Sequence, residues 1–409
     1  MQTMQTKCPS LRALLGIFVL ALLLRLAFLS IKPLAWTHQL QVGDEPLYHG
    51  IAVSLAHGLG YSLDGQPTAR YGPGYPFFLS AVYRLAGIKP PAARIANALS
   101  GSLLCVLLAI FAASLWGARV GVISGILAAS YYPFVQLPLY LMTENLYLPL
   151  FVTAALLTWK AVEAQPNSLR VAAFVGLSWA IASLTRAIEL PLAILCSLWF
   201  LVRRRMKEAI AFLALFVLVL LPWTARNYRV FHGFVPVELS AGHNLYLAFG
   251  PPGNEPKVLG HWNWGSDVRR PNPPEGLSPM ERDRWLKAQA LAYIRANPME
   301  AVVKRIPCKL ANLLVPFYGT ASLTNKVLAT FCYLLLLALS LPAWWWAWHS
   351  ENPAERHLAE LVLLIAAFTI AFHAIFFGVV GYRYPIDALL LVFSGKSFRD
   401  LAGKRFVRG

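Results

Sequence analysis

Ten apolar stretches follow one another along this chain, and nearly all are long enough to cross a lipid bilayer as a helix. The first, residues 11–31, contains one charged side chain, Arg25, and a spanning helix needs about 20 such residues. The others lie at 92–115, 119–138, 143–160, 170–187, 189–202, 208–223, 324–348, 358–380 and 384–395. The pattern predicts an all-α polytopic membrane protein with about ten transmembrane helices, within a range of about nine to twelve.

The composition agrees with a chain that lies mostly in lipid. Apolar residues make up 57% and charged residues 13%, and the mean hydropathy is +0.55. The net charge of +17 is spread over short loops, the second long loop and the tail, so topology and anionic lipid explain it and we expect no nucleic-acid partner. Five scattered cysteines predict neither a disulfide framework nor a zinc site. The first stretch lacks a small-residue cleavage site, so it is interpreted as a retained helix and not as a signal peptide.

Basic residues predict the orientation in the membrane. They cluster before the first stretch, at 203–207 and after residue 395, and such clusters face the cytoplasm. Two long loops, about 32–91 and 224–323, then lie on the outer face. We expect a single membrane domain over residues 1–400, followed by a basic cytoplasmic tail at 401–409. Because all other connections are short, function is expected in the two long loops.

The first long loop predicts a pocket at the lipid boundary. Residues 46–58 place apolar side chains at helical spacing, and 77–85 form a second apolar helix too short to span. Turns separate these interfacial helices. Together they bracket Asp44, Asp64 and Arg70.

The second long loop has three parts. Residues 250–279 are rich in Pro, Gly and Trp and predict no regular element, whereas 279–297 predict a helix on the soluble side. Segment 303–318 is too short and too basic at its start for a confident span. We interpret it as interfacial or re-entrant.

Asp44 and Glu45 stand side by side just beyond the first apolar stretch. Adjacent carboxylates at a membrane surface suggest acid–base chemistry. They also suit the start of a surface helix, because acids there complement the helix dipole. From the residues alone both readings remain open.

Several motifs, taken together and in order, resemble one family. They are GLGYSLDGQPTARYGPGYPFFLSAVYRLAG, TENLYLPLF, PWTARNYRVFHGFVPV and GYRYPID. They resemble bacterial membrane glycosyltransferases of the GT-C fold, family 39-like, related to dolichyl-phosphate-mannose protein mannosyltransferases and to lipid A aminoarabinose transferase. The resemblance extends over residues 11–392.

This resemblance implies an inverting glycosyltransferase that works at the outer face of a bacterial inner membrane. The donor would be a hexose or pentose on a polyprenyl phosphate, and the acceptor a lipid, a glycan or a protein. Asp44 would then be the base that takes the acceptor proton, with Glu45 as its helper or as a group that orients the acceptor.

The leaving polyprenyl phosphate gains negative charge, so cations beside it would stabilise the transition state. Arginine suits this task because its planar fork holds two phosphate oxygens. The candidates, in order, are Arg70, Arg226 and Arg383. Each could instead bind lipid head groups or mark the end of a span.

Four further residues are expected to support these groups. Arg186 is a lower-ranked cation, because Glu189 follows at helical spacing and would neutralise it. Glu144 is either a functional acid near the outer end of a span or a helix cap. The remaining two, from the Arg70 segment, are Tyr71 and Tyr75.

Two questions stay open at the sequence level. A divalent cation could assist, although the histidines near Asp44 lack a metal-binding spacing. A transporter or flippase for a lipid-linked sugar is the alternative function. The polar groups gather at one membrane face and the chain lacks internal repeats, which favours the transferase.

Overall fold

In the computed structural model, the described residues are 8–40, 43–250 and 272–406, with side chains described to residue 402. Each of the ten apolar stretches forms helix. The corresponding helices are α1 Leu11–Ser30, α4 Pro90–Trp116, α5 Ala118–Ser130 with α6 Tyr132–Gln136, α7 Glu144–Glu163, α8 Leu169–Thr185, α9 Glu189–Val202, α10 Met206–Phe231, α14 Leu323–Trp348, α15 Pro353–Ile375 and α16 Tyr384–Phe406.

Six of these helices are long and apolar enough to cross a membrane: α1, α4, α7, α10, α14 and α15. Helices α8 and α9 are apolar but shorter. The stretch predicted at 119–138 is not one straight helix, because α5 and the segment 132–139 meet at an angle of 57°. Tyr131 is extended at this bend and Pro133 lies in the first turn of α6, where proline favours the start of a new helix.

The spanning helices pack through small residues as well as through large apolar ones. Helix α8 lies against α10 and α7, α4 against α5 and α1, and α14 against α16. At Gly176 of α8 a methyl group would collide with the Phe212 carbonyl of α10. Such close approach of backbones is typical of helix contacts in membranes, where dispersion forces drive association.

The first long loop contains the two predicted interfacial helices, α2 Glu45–Ala56 and α3 Gly74–Ala86, which pack against each other. A two-stranded hairpin separates them, with β1 Ser62–Leu63 antiparallel to β2 Gln66–Pro67. Asp64 and Gly65 both have positive φ, as a tight Asp-Gly hairpin turn requires. Short 3₁₀ turns at Pro33–Trp36 and Leu137–Leu139 border this loop and the start of α7.

The second long loop contains α11 Ala241–Phe249 and α12 Pro279–Ala296, which pack together. Ser278 and Glu281 form a capping box that begins α12, so the helix predicted at 279–297 is confirmed. Most of the segment predicted to be irregular, 250–279, lies outside the described residues.

Segment 303–318 does not form a spanning helix. It contains part of a π-helical turn, Glu300–Arg305, and the nine-residue α13 Ile306–Leu314. A 3₁₀ turn at Val380–Arg383 leads into α16. Most of the predicted basic tail lies outside the described side chains.

Candidate active site between the two long loops

Asp44 directly precedes α2 but does not cap it. It occupies the N-cap position, yet its side chain makes no hydrogen bond to the amides of the first turn. Instead its Oδ1 accepts a hydrogen bond of 2.9 Å from the Tyr71 hydroxyl. The carboxylate is therefore directed toward another segment of the first loop, which favours the functional reading over the capping one.

Partial burial raises the pKa of the Asp44 carboxyl above its ordinary value, although the Tyr71 hydrogen bond and the positive charge of Arg70 oppose this. Glu144 raises the same pKa further and Arg186 lowers it. Asp44 is thus surrounded by ionisable groups of both signs. A carboxylate with a raised pKa is a stronger base, which suits proton abstraction.

Arg70 lies beside this carboxylate and is exposed. Its guanidinium lies 5.6 Å from the centre of the Tyr71 ring. Within the described part of the chain it forms no ion pair, so its charge is available to an anionic ligand. Arg70 also helps to lower the pKa of His243, in α11, to about 4, after burial as the main cause.

Arg186 pairs with a different acid from the one predicted. Its Nη1 lies 2.9 Å from Glu144 Oε1, and its guanidinium lies between the rings of Tyr147 and Tyr382, at 5.2 and 4.8 Å. Glu189, the predicted partner, accepts a hydrogen bond from the Tyr147 hydroxyl. The expected neutralisation by Glu189 is therefore wrong, because the backbone leaves the helix between α8 and α9 and carries Arg186 toward α7.

The Glu144 carboxylate is committed to this pair. It lies in the first turn of α7 and is 6% exposed, and no side-chain bond caps the helix there. Both Glu144 and Arg186 act on the pKa of Asp44 through their charges, so the pair belongs to the electrostatic environment of that carboxylate. The lower-ranked cation, Arg186, therefore acts on Asp44 even though it is paired with Glu144.

Glu45, adjacent to Asp44, has different surroundings. Its side chain is fully buried, and Oε1 accepts a hydrogen bond of 2.6 Å from the Leu141 amide. It lies near the guanidinium of Arg94. Glu45 therefore joins α2 to the segment that precedes α7. Because its side chain is fully buried, the predicted direct contact with an acceptor is not supported.

Arg94 holds the chain that leads to Asp44. It is 1% exposed and donates hydrogen bonds of 2.8–3.1 Å to the backbone carbonyls of residues 34, 35, 37, 39 and 139. One side chain therefore fixes the connection from α1 toward α2. No pattern in the sequence indicates this role, because Arg94 lies within an apolar helix.

Arg226, predicted to bind phosphate, is used as an anchor. It donates hydrogen bonds to the carbonyls of Tyr61, at 2.9 Å, and Thr68, at 2.8 Å. It also packs on the Trp223 ring at 5.1 Å. Arg226 thereby joins α10 to the hairpin of the first loop, and these bonds compete with phosphate binding.

Arg383 is likewise engaged within the protein. It is 1% exposed, and its Nε lies 3.0 Å from Asp387. Its Nη1 donates to the carbonyls of Leu313, Leu314 and Val315 at 2.8–3.2 Å. Its predicted contact with the donor phosphate is not supported, because the side chain is closed off from ligands and holds the end of α13.

Tyr75, predicted to support the site, is buried. It exchanges hydrogen bonds with Asn97, so it holds α3 against α4 and does not bond to Asp44.

Glu238, in the second loop, was not predicted from the sequence. Its Oε2 accepts from the Gly72 amide at 3.2 Å, next to the residue that binds Asp44.

The described residues contain no group of three or more His, Cys, Asp or Glu side chains that could hold a metal ion. The predicted possibility of a divalent cation stays untested.

Residues 68–225 match the family model for dolichyl-phosphate-mannose-protein mannosyltransferase. This segment includes Arg70, Tyr71, Glu144 and Arg186. No curated protein sequence matches the chain.

Solved structures of membrane glycosyltransferases share the fold. The archaeal oligosaccharyltransferase AglB from Archaeoglobus fulgidus, in complex with an inhibitory peptide and a dolichol-phosphate, matches with a TM-score of 0.58 and 15% identity, over 96% of this chain and 50% of that chain. An oligosaccharyltransferase from Archaeoglobus fulgidus in complex with Zn and sulfate matches with a TM-score of 0.57 and 15% identity, over 97% of this chain and 50% of that chain. This chain thus spans about half the length of these neighbours.

ArnT from Cupriavidus metallidurans, bound to undecaprenyl phosphate, matches with a TM-score of 0.44 and 15% identity, over 95% of this chain and 79% of that chain. The AglB superposition and the family model confirm the resemblance drawn from the sequence: the chain has the GT-C fold of polytopic membrane glycosyltransferases.

Proposed function

We propose that this protein is an inverting membrane glycosyltransferase that moves a sugar from a polyprenyl-phosphate donor to a lipid, glycan or protein acceptor. The reaction would take place on the outer face of a bacterial inner membrane. The observation that carries the proposal is the environment of Asp44, a carboxylate that is bonded to Tyr71 and acted on by the positive charges of Arg70 and Arg186, next to the contact between the two long loops at Gly72 and Glu238. The family model over residues 68–225 supports the class of reaction.

Asp44 is the general base. The acceptor hydroxyl attacks the anomeric carbon, its proton passes to the Asp44 carboxylate, and the bond from that carbon to the phosphate oxygen breaks on the opposite face. The electron pair of that bond leaves with the polyprenyl phosphate. Burial raises the pKa of Asp44, so the carboxylate binds the proton more readily than an exposed aspartate would.

Arg70 and Arg186 would stabilise the leaving phosphate. The phosphodiester carries one negative charge, and the departing monoester approaches two because its second pKa is about 6. Fixed cations therefore stabilise the products and the transition state more than the ground state. Arg70 is exposed, whereas Arg186 is held by Glu144, so Arg70 is the residue we expect to contact the phosphate first.

The test is transfer by the purified protein and its Asp44→Asn variant. Both would be incubated with a panel of polyprenyl-phosphate sugars and a membrane extract as acceptor, and the release of free polyprenyl phosphate would be measured. Loss of the base should slow release at least about a hundredfold. Asp64→Asn is the matched control, because Asp64 lies in the same loop but at the exposed hairpin turn.

Equal release by the wild type and Asp44→Asn would remove Asp44 from the mechanism. Absence of release with every donor would reject the transferase, and translocation of the same lipids in vesicles would then test the flippase alternative.

A further inference from the structure

Two carboxylates, one from each long loop, converge on the same short segment of the first loop. Asp44 accepts a hydrogen bond from the Tyr71 side chain at 2.9 Å. Glu238 accepts one from the backbone amide of the next residue, Gly72, at 3.2 Å. The adjacent residues also pair, since the Leu239 amide donates to the Ala69 carbonyl at 2.7 Å.

Gly72 lies close against the C-terminal end of α8. A methyl group at Gly72 would lie 2.5 Å from the Leu184 carbonyl of α8, so the segment is pressed against the end of that helix. Glu238 is fixed in turn by Ser240, whose hydroxyl donates to Oε1 at 2.7 Å. The carboxylate therefore has both oxygens bonded and a defined position next to the site.

We propose that Glu238 is a second carboxylate of this site, which positions the Tyr71–Gly72 segment against Asp44 and places an additional negative charge beside it. Its role in catalysis rests on the proposed transfer reaction, but its effect on Asp44 does not. Burial is the main cause of the raised pKa of Glu238, and the negative charge of Asp44 raises that pKa further, whereas Arg186 lowers the pKa of both carboxylates.

The sign of the effect follows from the charges around the two acids. A negative neighbour makes ionisation less favourable, so Glu238 raises the proton affinity of Asp44 and Asp44 does the same to Glu238. The other groups that act on Asp44 or Glu238, or lie against them, are Tyr48 of α2, Tyr61 and Arg70 with Tyr71 of the first loop, Glu144 of α7, Arg186 between α8 and α9, Ser240 of the second loop and Tyr382 before α16.

The experiment measures the protonation of Asp44 directly, without a substrate. A water-soluble carbodiimide with an amine nucleophile modifies protonated carboxyls, and mass spectrometry of the peptide containing Asp44 gives the extent of labelling across a pH series. In Glu238→Gln, which removes the charge but keeps an oxygen for the Gly72 amide, the midpoint for Asp44 should fall by about half a pH unit or more.

The matched control is Asp283→Asn. Asp283 is also a carboxylate of the second loop that accepts hydrogen bonds from backbone amides, those of Gly242 and His243 at 2.8 and 3.3 Å. In Asp283→Asn the labelling midpoint of Asp44 should equal that of the wild type. A midpoint in Glu238→Gln that stays at the wild-type value, or moves as in the control, would overturn the proposal.

A second variant separates charge from positioning. Glu238→Ala removes the oxygen as well, so it should lower the midpoint and also speed cleavage of the 61–72 segment by added protease, compared with Glu238→Gln. Equal cleavage in the two variants would refute the positioning role. If transfer fails with every donor while the midpoint still shifts, the proposed reaction fails and the coupling of the two acids stands.

Discussion

The hydrogen bond from Tyr71 to Asp44 makes a quantitative prediction about the pH dependence of the enzyme. Tyr71→Phe removes a 2.9 Å bond that stabilises the ionised carboxylate and lowers its pKa. Hydrogen bonds to charged groups contribute about 1.5–3 kcal/mol, and a partly exposed carboxylate retains roughly half of that because solvent screens it. Since one pKa unit corresponds to about 1.36 kcal/mol, the pKa of Asp44 should rise by roughly one unit.

The assay is the pH profile of kcat/KM for release of polyprenyl phosphate. A base must be deprotonated to act, so the acid limb of the profile should move to higher pH by about one unit in Tyr71→Phe. On that limb kcat/KM should fall about tenfold, with a small change on the plateau. Carbodiimide labelling of Asp44 should show the same upward shift in its midpoint.

Tyr83→Phe is the control for losing a tyrosine hydroxyl from the same loop. Tyr83 bonds to His49 Nδ1 at 2.8 Å and not to Asp44. An acid limb that stays in place in Tyr71→Phe, or moves equally in Tyr83→Phe, would refute the reasoning.

Three further changes test the supports of the site. Arg94→Lys leaves three donors for five carbonyls, so thermal unfolding in detergent should show a loss of about 2–6 kcal/mol; an unchanged midpoint would contradict the anchor. Gly72→Ala should cost about 1–3 kcal/mol, because its methyl group meets the Leu184 carbonyl, and a stable, fully active variant would count against this. Arg186→Met should cost about 3–5 kcal/mol by leaving Glu144 buried and unpaired; adding Glu144→Gln should restore stability but not activity, and recovery of both would exclude Arg186 from the reaction.

The helices were predictable from the sequence because most apolar stretches approach the length that a bilayer demands. The two interfacial helices of the first loop were also predictable, since their apolar residues recur at helical spacing. The bend at Tyr131 was not, because a break of one residue barely interrupts an apolar stretch. Local pattern determines where helix forms, but not where it changes direction.

The sequence ranked Arg70 ahead of Arg226 and Arg383, but it could not show what the last two bind. Arg70, Arg226 and Arg383 all stand at predicted loop or span boundaries, yet only Arg70 is exposed. The others bind backbone carbonyls far along the chain, such as Thr68 for Arg226 and Val315 for Arg383. A backbone carbonyl leaves no trace in residue identity, so partners of this kind appear only when the chain is folded.

The role proposed for Glu238 was not predictable from the sequence either. It is a lone acid between Val237 and Leu239, and nothing in its neighbours marks it as functional. The proposal rests on the hydrogen bond that Glu238 accepts from the Gly72 amide, 166 positions earlier in the chain. Asp44, by contrast, could be selected because it stands beside another acid at the end of an apolar stretch.

The anchoring role of Arg226 bears on how substrates reach the site. Arg226 joins α10 to the carbonyls of Tyr61 and Thr68, and the Leu239 amide joins the second loop to Ala69. We call this contact between the two loops the seam. A hinge motion that separated the loops at the seam would have to break all of these hydrogen bonds at once. A loop that opens and closes at every turnover cannot carry such a large free-energy cost. We therefore expect the 61–72 segment and residues 238–239 to move as one rigid body, so that donor and acceptor enter by routes that leave this seam closed.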